Sequence, residues 1–539
     1  MIIILVEIDL YDGNTSTIKT LRISNLTFMT IRDDNWVQFY PNLILPIELG
    51  TRISADEFSQ AQRGAPNGGN IGFVIEEDLW PWLNYHWLSR KFRIYQGQEN
   101  WKFEDFELIY SGRVADFTFD AVSNLASVKT TDASNDLDEV LVEDLYPDEE
   151  GILEAIREKP KPYLRGTVYS AQPVLEDEVI GFYRLSHGAN LDKIMEIRVG
   201  GVPWEEYTGV DDPKEGQWKG NLPGGYFTLG SPTLGAEVRC DVRTIAYDTY
   251  NSGKLIQEII ESSGGEIDTT SFNDFKTLLP GLIGYYATEP VNKLDVLDEI
   301  VFGCGAWWEF GSDGKARVGV LKSPETVSDF NFSTLDIKSF ELSKIVLPIW
   351  RIKVEYKRNW QVLTDALSGV TDSEAEAMAE EGIIAQKFED EDIKILEPQA
   401  VDLPIVRSLF VEENDAIEVR DRLAKAWGVE SRIYNMTCFN NSTPDLYSTV
   451  GVDFQMIDGM FRLHSVERSI GSELLSLQIW GSEGYTGVLD TPFTIEDYYI
   501  LSDTDDFIVI NGTRAIWTTN AFIPKRRDLF LTTSSPKIN

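Results

Sequence analysis

Three histidines, His86, His187 and His464, are the side chains of this sequence that could exchange protons near neutral pH. None of them stands in an HExxH pattern or in the context of a nucleophile elbow, where histidine binds zinc or activates a serine. The chain also lacks a GxxxxGK loop and a GxGxxG sequence placed between a strand and a helix, so no nucleotide site is indicated. We therefore predict no catalytic residue and no enzyme activity.

Cysteines and carboxylates give no stronger sign of a reactive site. Cys240, Cys304 and Cys438 are far apart and form no CxxC pair, which argues against a disulfide framework and a zinc knuckle and favours folding in a reducing cytoplasm. The acidic run 503–506 lacks the glycine and the distal glutamate of an EF-hand loop, so we interpret it as a solvated loop. Paired-acid glycoside hydrolysis stays open, because its signature is a separation in space. We predict no cofactor and no metal.

Composition and charge narrow the class of protein. The 539 residues are 42% hydrophobic and 12% aromatic, which is a globular composition, and the length suggests about three or four domains. A net charge of -40 argues against binding the phosphate backbone of nucleic acid as a main activity. No apolar run reaches the roughly 20 residues of a membrane span. The start, MIIILVEIDLY, has no basic region, and we interpret it as a first β-strand, not as a signal peptide.

The segment IWRIKVEYKRNW, from Ile349 to Trp360, predicts a strand with one dry side. Trp350, Ile352, Val354 and Tyr356 fall on one face because side chains alternate along a strand. The other face carries charged side chains, namely Arg351, Lys353, Glu355 and Lys357. Four further strands follow after an excursion of about 70 residues, and we expect all five to form one antiparallel sheet: 432–439, 450–456, 460–470 and 473–480, the last two joined at Gly471-Ser472.

Such a sheet must hide its apolar face against a helix, in a barrel, or against other copies of the chain. Trp350, Val354 and Tyr356 are therefore candidate interface residues. Trp307 is a further candidate, since Trp307 and Trp308 point to opposite faces of their strand.

The chain divides into five predicted segments. Residues 1–141 are mostly strands, and residues 142–248 are a small β barrel or sandwich with no legible helix. Residues 249–340 form a small α+β domain with two helices and a hairpin whose turn is Asp313-Gly314. Residues 341–488 form the second sheet domain, with a packed helix that carries Val419, Leu423 and Trp427. Residues 489–539 are a tail with the basic cluster Lys525-Arg526-Arg527, a candidate attachment site for a fibre or partner.

Several stretches resemble the baseplate or tail-tip hub proteins of long-tailed, non-contractile bacteriophages. They occur in the family's order across residues 1–481: IYSGRVADFTFD (109–120), KPKPYLRGTVYSAQPVLED (159–177), GAWWEFGSDGKARVG (305–319), LPIWRIKVEYKRNW (347–360) and LQIWG (477–481). The resemblance implies a mainly β, multidomain fold with α+β elements. The fold it implies has two tube-like antiparallel β domains, together with a small β barrel or sandwich and a small α+β domain.

The resemblance also implies a virion structural protein at the tail tip, made and assembled in the host cytoplasm. Three copies would form a pseudo-sixfold ring that joins the tail tube to central fibre or other tip proteins, with a tape measure protein as a further partner. Genomic DNA would pass through the ring without specific binding. The sequence contains neither a lysozyme-like segment nor the clustered cysteines found in some hubs, and the tail beyond residue 489 matches nothing in the family.

A second hypothesis is a secreted or surface carbohydrate-active or carbohydrate-binding β protein. The many carboxylates could serve as its catalytic or binding groups, and the run WPWLNYHW (80–87) could form an aromatic platform for a sugar. Ordinary packing explains this run more simply. The molecular mass in solution separates the two hypotheses, because a hub should be trimeric whereas a glycosidase should act alone.

Overall fold

The computed structural model describes residues 2–32, 35–53, 63–67, 69–233, 235–363, 370–439, 444–455, 457–472 and 474–482, together with four short strands between 498 and 523. Strands outnumber helices throughout this part of the chain. The predicted fold class, mainly β with α+β elements in several domains, is confirmed.

The N-terminal region folds around a six-stranded antiparallel sheet, the first sheet. The described residues of this N-terminal region form ten strands: β1 (Ile2–Asp12), β2 (Thr17–Ser24), β3 (Phe28–Arg32), β4 (Asn35–Phe39), β5 (Ile47–Ile53), β6 (Gly64–Asn67), β7 (Asn70–Val74), β8 (Lys91–Gln98), β9 (Glu107–Asp120) and β10 (Leu125–Thr131). The strand order is β2-β1-β8-β9-β10-β7, with β3 and β4 as a separate hairpin. Ile4, Val6, Ile8 and Leu10 alternate along β1 into one core, which confirms the predicted first strand.

A nine-stranded sheet forms the next region. Its elements are β11 (Tyr163–Ala171), β12 (Val174–Asp177), β13 (Phe182–Arg184), β14 (Leu191–Val199), β15 (Val202–Glu206), β16 (Gln217–Asn221), β17 (Tyr226–Leu229) and β18 (Val238–Thr244). The ninth strand, which pairs with β11, comes from the following region. The sheet closes on its own apolar core, which contains Ile197, Trp218 and Phe227.

Three helices and a hairpin make up the α+β region. Its elements are α1 (Ser252–Ser262), α2 (Thr269–Leu278), β19 (Gly284–Ala287), α3 (Lys293–Gly303), β20 (Ala306–Phe310) and β21 (Ala316–Val320). The side chains of Asn251 and Asn292 accept hydrogen bonds from the first turns of α1 and α3, as N-caps do. The hairpin pairs Ala306 with Val320, as the Asp313-Gly314 turn predicts.

The remaining main-body elements build a second sheet and its cover. They are β22 (Phe330–Ser333), β23 (Ile337–Val346), β24 (Ile349–Ile352), β25 (Val354–Tyr356), α4 (Asp372–Ala379), β26 (Ile383–Ile384), β27 (Phe388–Glu389), α5 (Glu391–Leu396), β28 (Val401–Asp402), β29 (Val406–Arg407), α6 (Glu413–Trp427), β30 (Ser431–Phe439), β31 (Thr449–Phe454), β32 (Ile457–Ile470) and β33 (Leu474–Gly481). The second sheet follows the order β22-β31-β32-β33-β30-β23, with β5 and β6 added beside β32. Residue 340, the predicted end of the α+β domain, lies inside β23.

The segment Ile349 to Trp360 does not lie in the second sheet, so its predicted position is wrong. It forms β24 and β25, which belong to two small sheets, β27-β24-β28 and β26-β25-β29. The predicted dry face is real, because Trp350, Ile352 and Val354 are all buried, but Ile349 is buried too. A segment with apolar side chains on both faces needs cover on both, and the excursion that follows it supplies strands on each side and helix α6.

Four short strands close the described part of the chain as an antiparallel meander: β34 (Tyr498–Ile500), β35 (Phe507–Ile510), β36 (Thr513–Thr518) and β37 (Ala521–Ile523). The acidic run 503–506 and the basic cluster Lys525-Arg526-Arg527 lie outside the described residues.

Candidate assembly surface

The two large sheets are joined by a strand that leaves the first region and enters the second sheet. Strand β5 pairs with β32 from Ile47 opposite Ile470 to Arg52 opposite Ser465, and β6 lies on its other side. Ile470 in turn packs in the core of the first sheet. The main-chain ladder and the shared core hold the two sheets side by side as one unit.

The second sheet is apolar on one side and polar on the other. On strand β30, Tyr434, Met436 and Cys438 are buried, whereas the alternate positions Asn435 and Thr437 face outward. Strand β33 repeats the pattern, with Gln478 opposite Asn435 and Ser476 opposite Thr437. The Gln478 amide donates a hydrogen bond of 3.2 Å to Oδ1 of Asn435. Neutral side chains thus form the middle of this polar face.

The face of the first sheet that carries Glu7 combines an apolar cluster, in which Ile3 and Leu5 pack against the β3–β4 hairpin, with charges that neutralise one another. The carboxylate of Glu7, on β1, is buried and lies 3.0 Å from Nε of Arg22 and 3.0 Å from Nη1 of Arg32. Arg93, on β8, reaches both Glu7 at 3.4 Å and Asp9 at 2.9 Å. Because a buried charge is costly unless it is paired, these neighbours are what allow Glu7 to sit there.

Among the described residues, exposed apolar side chains lie on the β3–β4 hairpin, which packs over the first sheet, and on the edge strand β23 of the second sheet. The hairpin β3–β4 turns Met29, Ile31 and Trp36 outward, and they are 54%, 51% and 70% exposed. Ile31 and Trp36 face each other across the hairpin. At the far end of the second sheet, β23 pairs only with β30 among the described strands and exposes Leu342 and Ile345. Long edge strands of this kind are templates for pairing with another chain.

A cavity of about 900 Å³ lies between the first sheet, β5, the β20–β21 hairpin and β32. Glu309, on β20, lines it and is only 4% exposed. Burial raises the pKa of Glu309 to about 8, and the nearby Arg317 offsets only part of that rise. Asp132, which lines the same cavity, is also buried, and burial raises its pKa as well. The cavity therefore contains two carboxyl groups held away from water.

The predicted interface residues lie mostly inside the chain. Trp350 and Val354 are buried beside α6, Trp307 is buried in the same large core, and Tyr356 is half-buried. The buried side chains leave little surface for a partner, and their role at an interface stays a prediction. The remaining candidates, Lys525, Arg526 and Arg527, lie outside the described residues.

The charged face of the same segment is engaged by neighbours. Arg351 donates to Glu389 at 2.8 Å and to Asp402 at 2.9 Å, and its guanidinium lies 3.9 Å from the centre of the Trp350 ring. The ammonium of Lys357 lies 4.6 Å from the centre of the Tyr169 ring.

The structure places the histidines and the aromatic run in separate structural roles. His187 lies 2.7 Å from Asp144, and His464 stacks between Tyr447 and Trp480. In the run 80–87, Trp87 stacks on Phe117 with the ring centres 3.9 Å apart, whereas Trp80 is 49% exposed. A sugar platform needs several open ring faces, and the ring of Trp87 is already covered by Phe117.

Sequence reasoning missed the features that build this surface. Glu309 sits in AWWEF, and a carboxylate between buried aromatic residues on a strand was the available signal. The alternation in FMTIRDDNWVQF could have identified the exposed face of β3–β4. The pairing of β5 with β32 leaves no sign in the sequence, since neither strand carries a pattern that specifies the other.

Two general searches of the described residues complete this description. No group of three or more histidine, cysteine, aspartate and glutamate side chains among them could hold a metal ion. No helix in that part of the chain is long and apolar enough to cross a membrane.

Comparison with known proteins gives similarity only at the level of solved structures. No family model and no curated protein matches the chain. The 43 kDa tail protein of prophage MuSo2 from Shewanella oneidensis is 8% identical, with a TM-score of 0.38 over 84% of this chain and 98% of that one. A tail protein from Neisseria meningitidis MC58 is 7% identical, with a TM-score of 0.37 over 84% and 96%.

The prophage tail protein gp18 from Listeria monocytogenes EGD-e is 7% identical, with a TM-score of 0.31 over 89% of this chain and 94% of that one. These superpositions are too loose to carry an argument about function, which must come from this chain's own residues.

Proposed function

We propose that the chain is a virion structural protein, a baseplate or tail-tip hub of a long-tailed bacteriophage. The observation that carries the proposal is the pairing of β5 with β32, which fixes the two large sheets side by side in one chain. Three such chains would supply six sheets, so a threefold ring of copies could meet a sixfold tail tube. The five motifs shared with hub proteins support the same assignment.

The borders of the paired sheets support contact between copies. A closed ring needs two different surfaces that meet head to tail. The hairpin β3–β4, with Met29, Ile31 and Trp36, and the edge strand β23, with Leu342 and Ile345, are two different exposed surfaces on two different sheets. We assign them to the contacts between neighbouring copies, and the tail tube and fibre proteins to the two ends of the ring.

The proposed ring would enclose a channel for DNA with an acidic or neutral lining. Phosphates bind basic walls by releasing counterions, so unpaired lysines and arginines would hold DNA in the channel. The polar faces fit this requirement, because the arginines around Glu7 are paired and the centre of the second sheet carries amides and hydroxyls. Arg351 is likewise paired with Glu389 and Asp402.

Reconstruction of the intact tail tip by electron cryomicroscopy tests the proposal directly. We expect three copies of the chain, with the polar faces of both sheets towards the axis. A tip with one copy or six copies would overturn the homotrimer. A central channel lined by unpaired Arg351, Lys353 and Lys357 would overturn the assignment of the lining.

A further inference from the structure

The cavity between the first sheet and β32 contains a carboxylate for which no described residue is a partner. Glu309, on β20, is 4% exposed, and its Oε2 atom accepts no hydrogen bond from the described residues. Gly64, on β6, packs so closely against this side chain that a Cβ at the glycine would lie 2.5 Å from Cβ of Glu309. The backbone of β6 thus confines Glu309 to its place in the cavity wall.

Asp132, directly after β10, is a second buried carboxylate of the same cavity and is 5% exposed. Its hydrogen bonds come from the backbone amide and the hydroxyl of Ser134, which are neutral groups. Arg63 acts on Asp132 from a distance, but its guanidinium lies 3.7 Å from Asp298. Asp132 therefore has hydrogen bonds but no cation beside it among the described residues.

The charged groups that line the cavity are unbalanced. Among the described lining residues, four carboxylates meet two arginines: Glu107, Asp132, Glu309, Asp445, Arg317 and Arg468. Arg317 lies opposite Glu309 in the β20–β21 hairpin, but it donates a hydrogen bond of 2.7 Å to Asp445. The charge of Arg468 acts on Glu107. The cavity would therefore hold two uncompensated negative charges if Glu309 and Asp132 were both ionised.

Protonation relieves this imbalance when the cavity holds no cation. Burial is the main reason that the pKa of Glu309 is about 8; Arg317 lowers it, and Asp445, Asp132 and Asp313 raise it. Burial raises the pKa of Asp132 as well. A buried carboxyl group becomes stable in its charged form only when a cation is brought to it.

The remaining wall of the cavity is largely aliphatic. Leu49, Leu108, Ile109, Leu446 and Ile470 are among the residues that line it, and its volume of about 900 Å³ has room for an alkyl chain of several carbons. A metal ion would need several oxygen ligands in one place, and no group of three or more suitable side chains occurs among the described residues. The lining suits an organic cation with an apolar body.

We propose that this cavity is a binding site for an aliphatic diamine, with one ammonium group at Glu309, the other at Asp132 and the methylene chain against the aliphatic wall. Each ammonium group donates charge-assisted hydrogen bonds to its carboxylate, and the two positive charges balance the two negative ones. The inference does not depend on the hub assignment, since all the described lining residues belong to a single chain.

Isothermal titration of the full-length protein with hexanediamine tests the site. Glu309 is mostly protonated at pH 7 and must ionise to pair with an ammonium group, so binding should release roughly one proton from it. Heats compared in phosphate and Tris buffers, which take up protons with different enthalpies, measure that release. The affinity should rise by at least about tenfold from pH 6 to pH 8, because the amine stays charged while Glu309 becomes easier to ionise.

Two variants and two further ligands serve as controls. Glu309→Gln keeps the size of the side chain, and it should lower the affinity by at least about tenfold and abolish the proton release from this residue. Glu215→Gln removes an exposed carboxylate between β15 and β16 and should change neither. Hexanediol has no charge and should not bind, and aminohexanol, with one charge, should bind at least about tenfold more weakly than the diamine. Circular dichroism shows whether each variant is folded.

Each contrary outcome is decisive. The absence of saturable binding of hexanediamine, binding without proton release, or equal affinity in Glu309→Gln would overturn the proposal. Equally tight binding of hexanediol or of aminohexanol would remove the basis for two paired charges and overturn it as well. The number of copies in the tail tip enters none of these measurements, so a failed hub assignment would not alter them.

Discussion

Glu309 couples the stability of the chain to pH. Its pKa in the folded chain is about 8, above the ordinary value of 4.5, so the folded state holds a proton that the unfolded state releases. A raised pKa contributes stability that is complete below the unfolded value and is lost as the pH rises through the folded value. The affected window therefore runs from about pH 4.5 to 8.

The first prediction isolates this group. Glu309→Gln should remove part of the fall in the free energy of unfolding between pH 5 and pH 8, because the glutamine cannot lose a proton. Urea unfolding at both pH values, for the two chains in parallel, measures the difference. Equal pH dependence with and without Glu309 would contradict the assigned titration.

The second prediction concerns the faces of β25. Val354→Asp should cost about 3–5 kcal/mol of stability, because a carboxylate would enter a site that is 1% exposed and has no partner prepared for it. Tyr356→Asp is the matched control, and it should cost much less because Tyr356 is half-buried and can turn its side chain to water. Thermal melting gives both values. Similar losses for the two variants would contradict the difference in burial between Val354 and Tyr356.

Alternation along a strand made Trp350, Ile352 and Val354 predictable as buried side chains. The same reasoning could not identify Glu309 as a cavity residue. A local pattern predicts that a side chain is buried, but it does not predict whether a hydrogen-bond or ion-pair partner lies beside it. Arg317 lies opposite Glu309 in the hairpin, but its charge is shared with Asp445, 128 residues further along the chain, and no local pattern reveals that contact.

At the scale of elements, the ends of helices follow from local sequence, because capping depends on residues next to one another in the chain. The capping box of Thr371 and Glu374 marks the start of α4, and Gly428 follows the end of α6. Helix α2 was missed although Asp268 caps it, because only Phe272 and Phe275 of its ten residues are buried and the apolar stripe is short. The position of β24 and β25 was misjudged, since alternation identifies a strand but not its neighbours.

The third prediction tests the strand that joins the two sheets. Thr51 lies in β5 between β32 and β6, so Thr51→Pro must remove one ladder hydrogen bond. Amide hydrogen exchange should become faster in residues 47–53 and 463–470, whereas β14 and β18 should be unaffected. Thr51→Val keeps the amide and serves as the control. If exchange stayed slow in both strands, β5 would not hold the sheets together.

At the scale of the whole molecule, charge opposes the association of copies. Each chain carries a net charge of -40, and salt shortens the distance over which like charges repel. The fourth prediction is that the trimer fraction rises when sodium chloride is raised from about 50 to about 500 mM. Sedimentation velocity at fixed protein concentration measures it. A trimer that dissociates in salt would instead mean that ion pairs between copies dominate the interface.

The mainly β fold class could be predicted from the sequence, because strands, turns and helices have different residue patterns. The connection between the two large sheets could not be predicted in this way. The union of the two sheets depends on main-chain hydrogen bonds between β5 and β32, and main-chain groups are the same for every sequence.

That union has a consequence for how the protein is made. Strand β5 is synthesised early, but its partner β32 follows about 420 residues later, which corresponds to roughly 20 to 80 s of translation at ordinary rates. During that interval the nascent chain carries one strand without its neighbour and an N-terminal core without Ile470. Polysomes translating this message would hold many such chains close together, and the open edge of β5 on one could pair with that of another. Chaperones that bind nascent chains should therefore raise the yield of soluble protein. Changes of temperature or protein concentration made after synthesis should raise it less.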